Sequence, residues 1–267
     1  MKRIISAVLV VVILALALAG CAKKDENTLV VAATSAPHAE ILEQCKSAME
    51  AKGYKLSIKV VSDYVTPNTF TEDGEVDANF FQHVPYLDQF NSENKTHLVP
   101  VAKVHYEPLG VYKGTGESLT SIPNGAKIAV PNDATNEARA LLLLQANGVI
   151  TLKENAGLTA TKNDIVENPY GVEIVELEAA LIPSMLSEVA FAVINGNYAL
   201  EAKLDVNTAL AIEEKDSEAA QLYANVLVVK KGNEENALVK ALVEILHSEE
   251  ITSFINEKYG NSVVPIQ

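Results

Sequence analysis

The chain has 267 residues, 48% of them hydrophobic, and carries 35 acidic against 21 basic side chains for a net charge of −14. So acidic a surface repels the phosphates of nucleic acids and anionic lipid heads, which argues against any polyanion-binding role. The length leaves room for two lobes of ordinary domain size.

The chain opens with Lys2 and Arg3 ahead of an apolar run from Ile4 to Ala19 that only Ser6 interrupts. A membrane-spanning helix needs about 20 apolar residues, so this shorter run reads as a secretory signal. It ends in Leu18-Ala19-Gly20-Cys21, which resembles the bacterial lipobox. That resemblance implies a signal peptide over residues 1–20, cleavage before Cys21, and lipidation of the cysteine. Residues 21–28 then form a lipidated N-terminus and polar tether. Removing Lys2 and Arg3 leaves 19 basic against 35 acidic side chains, a net of −16. Cys45 becomes the only thiol, so no intramolecular disulfide can form. It shares a helical apolar stripe with Ile41, Leu42, Ala48 and Met49 and is expected in the core.

From Leu29 short apolar runs alternate with amphipathic helices. The pattern predicts strand 29–33, helix 37–52, strand 56–61, and strands at 99–105 and 109–112. Gly114-Thr-Gly116 reads as a hinge. Beyond it come strand 127–130, helix 135–147, strand 173–177, helix 178–186, strand 191–194 and helix 196–203. Strand 223–229 and helices 234–247 and 249–259 close the chain. Such alternation implies an α/β fold with helices on both faces of parallel-rich sheets. Two such lobes with a ligand cleft between them is the expected architecture. Lobe 1 is expected to comprise residues 29–112 plus 226–267, and lobe 2 residues 113–225, with crossings near 108–118 and 220–226.

Three stretches could carry chemistry. Pro131-Asn-Asp-Ala-Thr-Asn-Glu-Ala-Arg139 joins a buried strand to a helix, with Asp133 or Thr135 as N-cap. A helix N-terminus attracts anions, and Arg139 adds a planar fork for a carboxylate. The alternative is a surface arginine on an amphipathic helix. Asp77-Ala-Asn-Phe-Phe-Gln-His-Val-Pro-Tyr86 crowds Phe80, Phe81, His83 and Tyr86 into ten residues, suited to a small amphipathic ligand with a polarizable tail. Phe80 fits a core position better. Tyr64 follows a predicted strand, where α/β clefts gather ligand groups. Asn195 and Asn197 flank Gly196 after a buried strand, and Asn225 is an amide inside an apolar one. Each such amide needs a structural or ligand partner.

Enzymatic signatures are missing: no Gly-x-Ser-x-Gly elbow, no His-Glu-x-x-His helix, and no third glycine after Gly114 and Gly116. No cofactor is implied. The five histidines show no paired metal spacing, and the expectation is no metal site. Convergence of His83, His105 and a carboxylate in the fold is the alternative left open.

Together these stretches resemble the methionine-binding lipoproteins, the substrate-binding components of bacterial methionine importers of the ABC class. The resemblance runs through Ala36-Pro-His-Ala-Glu40, Asp63-Tyr-Val-Thr-Pro-Asn68, 74–87, Val130-Pro-Asn-Asp-Ala-Thr-Asn136, 139–144, Ala192-Val-Ile-Asn-Gly-Asn-Tyr-Ala199 and Tyr223-Ala-Asn225. It implies a two-lobed, type II-like periplasmic-binding-protein fold closing on methionine, with no enzymatic activity. Carried over by position, Arg139 would partner the carboxylate. Tyr64, Phe81, His83 and Tyr86 would line the side-chain and amino-group pocket, and Asn195 and Asn225 would make polar contacts. Asn197 carries over less securely, because family members differ there. The implied partners are L-methionine, an ABC transporter permease and, through the lipid on Cys21, the extracytoplasmic side of the cell membrane. The chain departs from the family in Glu137-Ala138, where two glycines are common, and in Leu181-Ile-Pro-Ser-Met-Leu186. These departures leave D-methionine, a methionine-containing dipeptide or another small amino acid as alternative ligands. A surface adhesin or signalling lipoprotein is the alternative role.

Overall fold

The computed structural model describes residues 25–214 and 221–266, so the leader and Cys21 lie outside the described residues. The mixed α/β architecture expected from the sequence is present, as two sheets with helices packed on them. The first sheet is built on β1 (Thr28–Thr34), which pairs in parallel with β2 (Lys55–Val61) on one side and β3 (Ala78–His83) on the other. Beyond β3 lies β12 (Asn225–Lys230), then β4 (Leu98–Tyr106) and the two-residue β13 (Val264–Pro265) at the edge. β12 runs antiparallel to both of its neighbours.

Helix α1 (Glu40–Ala51) buries Ile41, Leu42, Cys45 and Met49 on this sheet. Cys45 is fully enclosed, and burial pushes its thiol up to about 12. Two elements were not expected as such. The short helix α2 (Thr66–Asp73) starts on Pro67 and stops at Gly74, whose φ of 77° needs the left-handed region that glycine adopts without strain. β3 is a central strand buried at every position, because both its faces are covered by helices. It runs directly into helix α3 (Val84–Asn94).

The second sheet has the order β11-β5-β10-β6-β9. Its members are β5 (Gly110–Lys113), β6 (Lys127–Pro131), β9 (Glu173–Leu177), β10 (Phe191–Ile194) and β11 (Ala211–Ile212). A two-stranded ribbon of β7 (Thr151–Leu152) and β8 (Ile165–Glu167) stands beside it. Helix α4 (Ala134–Ala146) buries Ala138, Ala140, Leu141, Leu143 and Leu144 in this lobe's core. Each fully buried leucine contributes roughly 1.5–3 kcal/mol relative to exposure. The helix expected over 178–186 is instead a 3-10 segment, Ala179–Met185. Pro183 lies within it, and a proline lacks the N–H that an α-helix interior requires.

The chain crosses between the sheets twice, from β4 to β5 at residues 107–109 and from β11 to β12 between 212 and 225. Because β5 pairs with β10 and β11, the first crossing comes before residue 113. Gly114 and Gly116 are therefore packing positions inside the second lobe. A Cβ on Gly114 would stand 2.3 Å from the Val189 carbonyl oxygen, and one on Gly116 would stand 2.5 Å from the Phe191 ring. Helix α5 (Gly196–Glu201) follows β10, while α6 (Ala237–Leu246) and α7 (Glu249–Tyr259) return to cover the first sheet.

Candidate functional site between the lobes

The C-terminal ends of β3, β6 and β10 and the start of β12 meet at the interlobe cleft, where open α/β sheets place their ligands. A small cavity lies there. All seven ligand-site residues named from the sequence border it: Tyr64, Phe81, His83, Tyr86, Arg139, Asn195 and Asn225. Glu107, Asn136 and Asn197 border it as well.

The lobes touch directly around this space. Tyr64 Oη donates to Asn197 Oδ1 at 2.5 Å, and Tyr198 Oη donates to the Ser62 carbonyl at 3.1 Å. The Thr135 amide donates to Gln89 Oε1 at 3.2 Å. Tyr64, Phe81 and Tyr86 form an aromatic corner, with centroid separations of 5.7, 5.7 and 6.0 Å. Tyr86 Oη is tied to the Tyr64 carbonyl at 3.0 Å, which fixes two walls of the corner at once.

Arg139 sits in the second turn of α4 and is 4% exposed. Its Nε donates to Glu213 Oε1 at 2.7 Å, and its Nη2 bonds both Glu213 Oε2 and the Glu107 carbonyl, the latter at 2.8 Å. Glu213 Oε2 also accepts from Tyr106 Oη at 2.7 Å and from the Leu109 amide at 2.9 Å. One carboxylate from the second crossing thus locks the arginine to the first. The same side chain borders the cavity. The flat face rests on Tyr223, whose centroid is 4.3 Å from Cζ. Burial works against the arginine's charge, but the adjacent Glu213 holds its pKa above the ordinary value.

The helix N-terminus itself is not the anion site. Asp133 is the N-cap and accepts from the Asn136 amide at 3.0 Å, and Gln89 takes the next free N–H. Glu137 also faces elsewhere, accepting the Lys162 amide at 2.9 Å, and does not border the cavity.

His83 has both ring nitrogens engaged. Nδ1 accepts from the Tyr86 amide at 3.2 Å, so the proton is on Nε2, which donates to Asn136 Oδ1 at 3.3 Å. Its ring therefore borders the cavity as a neutral wall. His105, instead of joining His83, meets His38 and Glu107 beneath the cavity. His105 Nε2 is 2.7 Å from Glu107 Oε1, His38 Nε2 is 3.3 Å from the same oxygen, and Asn225 Oδ1 is 3.1 Å from His38 Nε2. The donor atoms of His38, His105 and Glu107 fall within 4.8 Å of one another, a possible metal ligand set. His105 Nε2 and Glu107 Oε1 are hydrogen-bonded at 2.7 Å, however, closer than the roughly 3.3 Å between two ligands on one tetrahedral zinc, and His105 Nδ1 lacks the outer acceptor that a ligating histidine needs. The trio fits a histidine–carboxylate hydrogen-bond cluster better than a metal site. Burial raises the Glu107 carboxyl above the carboxylate range, while His38 and Arg139 pull it back.

Burial lowers His38 to about 4, and His83 and His105 to about 3. Below 6.5 the unfolded chain takes up protons that the folded chain refuses, so stability falls with pH. The limit is about 1.4 kcal/mol per pH unit per histidine. Glu107 and Asp133, both raised by burial, work the other way as pH falls through their folded values, so the net slope is smaller than the histidine limit. A thermal midpoint lower by at least about 5 °C at pH 5 than at pH 6.5 is expected. A flat profile over that interval would rule out three neutral buried histidines.

A family model described as NlpA lipoprotein matches residues 29–267, covering both sheets and the cavity. The chain belongs to the NlpA lipoprotein family. It is 41% identical over 251 residues to the methionine-binding lipoprotein MetQ of Bacillus subtilis strain 168, covering 92% of this chain and 90% of that one. To the D-methionine-binding lipoprotein MetQ of Escherichia coli K12 it is 37% identical over 256 residues, 93% of each chain. Among solved structures, a nutrient binding protein from Burkholderia cenocepacia bound to methionine is similar with a TM-score of 0.85. The two are 40% identical, over 90% of this chain and all of that one. A periplasmic substrate-binding protein of an ABC transporter from Coxiella burnetii is also similar, 38% identical over 89% of this chain and all of that one, with a TM-score of 0.83. The family's members are binding proteins and not enzymes. Among the described residues no helix is long and apolar enough to cross a membrane.

Glu107, Asn136 and Glu213 were not singled out in the sequence. Asn136 stands within Pro131–Arg139 but reads there as part of a helix start. Glu213 stands in an acidic run, Glu213-Glu214-Lys-Asp216, which carries no signal of a buried partner.

Proposed function

We propose that this chain is a lipid-anchored extracytoplasmic receptor that captures free methionine between its lobes and delivers it to the permease of an ABC importer. The observation that carries the reading is the placement, on one cavity, of the Arg139 side chain, an unpartnered acceptor at Asn195 Oδ1 and the aromatic corner of Tyr64, Phe81 and Tyr86. Those features match a carboxylate, an ammonium and a straight polarizable side chain. The names of the relatives support methionine. Anchoring falls to Cys21, where buried acyl chains supply the membrane affinity. Ligand binding to both lobes favours the closed form, and that difference in affinity drives closure.

The test is a thermal melt of ligand-stripped protein, read by tyrosine emission because the chain has no tryptophan. Methionine at 100 times its dissociation constant should stabilise the fold by roughly 2.7 kcal/mol. At about 2–4 °C per kcal/mol the midpoint rises by roughly 5–11 °C. Sulfur–aromatic contacts of about 0.3–1.5 kcal/mol should make methionine bind about two- to tenfold more tightly than norleucine. Leucine should be weaker still, because its branch misfits a pocket shaped for a straight chain. No response to methionine, with a clear rise for a methionine-containing dipeptide or another amino acid, would overturn the assignment.

A further inference from the structure

The hydrogen-bond acceptor that the cavity presents is determined two side chains away from it. A carboxylate can only accept hydrogen bonds. Both oxygens of Asp133 engage Asn136 Nδ2, at 2.9 and 3.0 Å, so this amide must turn its oxygen the other way. Asn136 Oδ1 accepts from Asn195 Nδ2 at 2.9 Å and from His83 Nε2 at 3.3 Å. His83 cannot reverse that polarity, because its Nδ1 already accepts from the Tyr86 amide. Asn195 is left with one free end, Oδ1, which is buried and has no partner. Asn195 itself is 6% exposed and borders the cavity, whereas Asp133 does not border it.

We propose that Asp133, acting through Asn136, is a positioning residue that fixes Asn195 as an acceptor and so makes the site select ligands with a protonated α-amino group. The inference rests on reading the ligand as a free amino acid. An isolated amide inverts end for end at little cost, and an inverted Asn195 would point an NH₂ group at the ammonium. The carboxylate of Asp133 forbids that inversion, because it would set the Asn136 and Asn195 oxygens against acceptors. A hydrogen bond to a charged group discriminates by about 10- to 150-fold against a ligand that lacks it.

The test uses calorimetry on the ligand-stripped chain with methionine, its des-amino analogue 4-(methylsulfanyl)butanoate, and methioninamide. Two variants are compared with the parent. Asp133→Ser keeps a hydroxyl to cap α4 but loses the second acceptor for Asn136. Asn136→Leu keeps the Asp133 cap, made to a backbone amide, and removes the middle of the relay. The parent should prefer methionine over the des-amino analogue by about 10- to 150-fold. In both variants that preference should shrink by threefold or more. The preference for methionine over methioninamide, set by Arg139, should change by less than threefold. A des-amino preference that shrinks by less than threefold, or two preferences that collapse together, overturns the relay. A parent that does not bind methionine overturns the ligand reading instead, and one indifferent to the amine overturns both.

Discussion

Arg139→Ala should weaken methionine binding by about 2–5 kcal/mol, the range for stranding one partner of a desolvated charge pair. At about 1.4 kcal/mol per decade this is roughly 30- to 4,000-fold. The structure adds a second consequence. Glu213, with its side chain 10% exposed, would lose its guanidinium partner and keep only Tyr106 Oη and the Leu109 amide. Breaking a buried pair on one side costs about 3–5 kcal/mol, so the ligand-free midpoint should fall by roughly 6–20 °C. Arg139→Lys should recover part of the stability and little of the affinity, because the three donors of an ammonium share one nitrogen and cannot reproduce the planar fork that spans Glu213. Calorimetry and melting on the same preparations separate the two effects. An alanine variant binding within threefold of the parent would exclude Arg139 from the site.

Gly196→Ala should reduce methionine affinity by about 5- to 150-fold, corresponding to an overpacking cost of roughly 1–3 kcal/mol. A Cβ at Gly196 would stand 2.7 Å from Glu107 Cβ and 3.0 Å from its Oε2. Glu107 cannot retreat, since His105 and His38 of the first lobe hold its carboxylate. Gly196 opens α5 in the second lobe, so the added methyl props the lobes apart. The ligand-free midpoint should move by only a degree or two if that form stays open, and small-angle scattering should show the variant remaining open with methionine present. Unchanged affinity would mean the two residues separate freely in solution.

The local elements followed from local causes. Asp133 caps α4, whose Leu141, Leu143 and Leu144 are buried, and Cys45 lies in an apolar stripe that α1 buries. Period and capping are properties of a few neighbouring residues, and a sequence displays them directly. The second helix of the first lobe was missed because Thr66–Asp73 is polar along most of its length, and only Pro67 and Gly74 mark its ends. No strand is legible over residues 78–83, because burial on both faces of β3 removes the alternation that identifies a strand.

The residues around the cavity were legible for a different reason. Tyr64, Phe81, His83, Tyr86, Arg139, Asn195 and Asn225 stood in stretches that carried the family resemblance, and their side-chain chemistry suits an amino acid. What each one bonds to was not legible. Arg139 meets Glu213 across 74 residues of chain, and His38 meets Asn225 across 187. Such pairs exist only because β12 returns to the first sheet and brings the second crossing beside the first. The sequence by itself determined the periodicity, the caps, the charge and the inventory of polar groups, since these depend on residues close in the chain. Which carboxylate Arg139 meets, which imidazole nitrogen carries its proton and which way Asn195 points are settled only in the folded chain. Hydrogen-bond polarity passes from group to group through space, and only the folded chain sets that order.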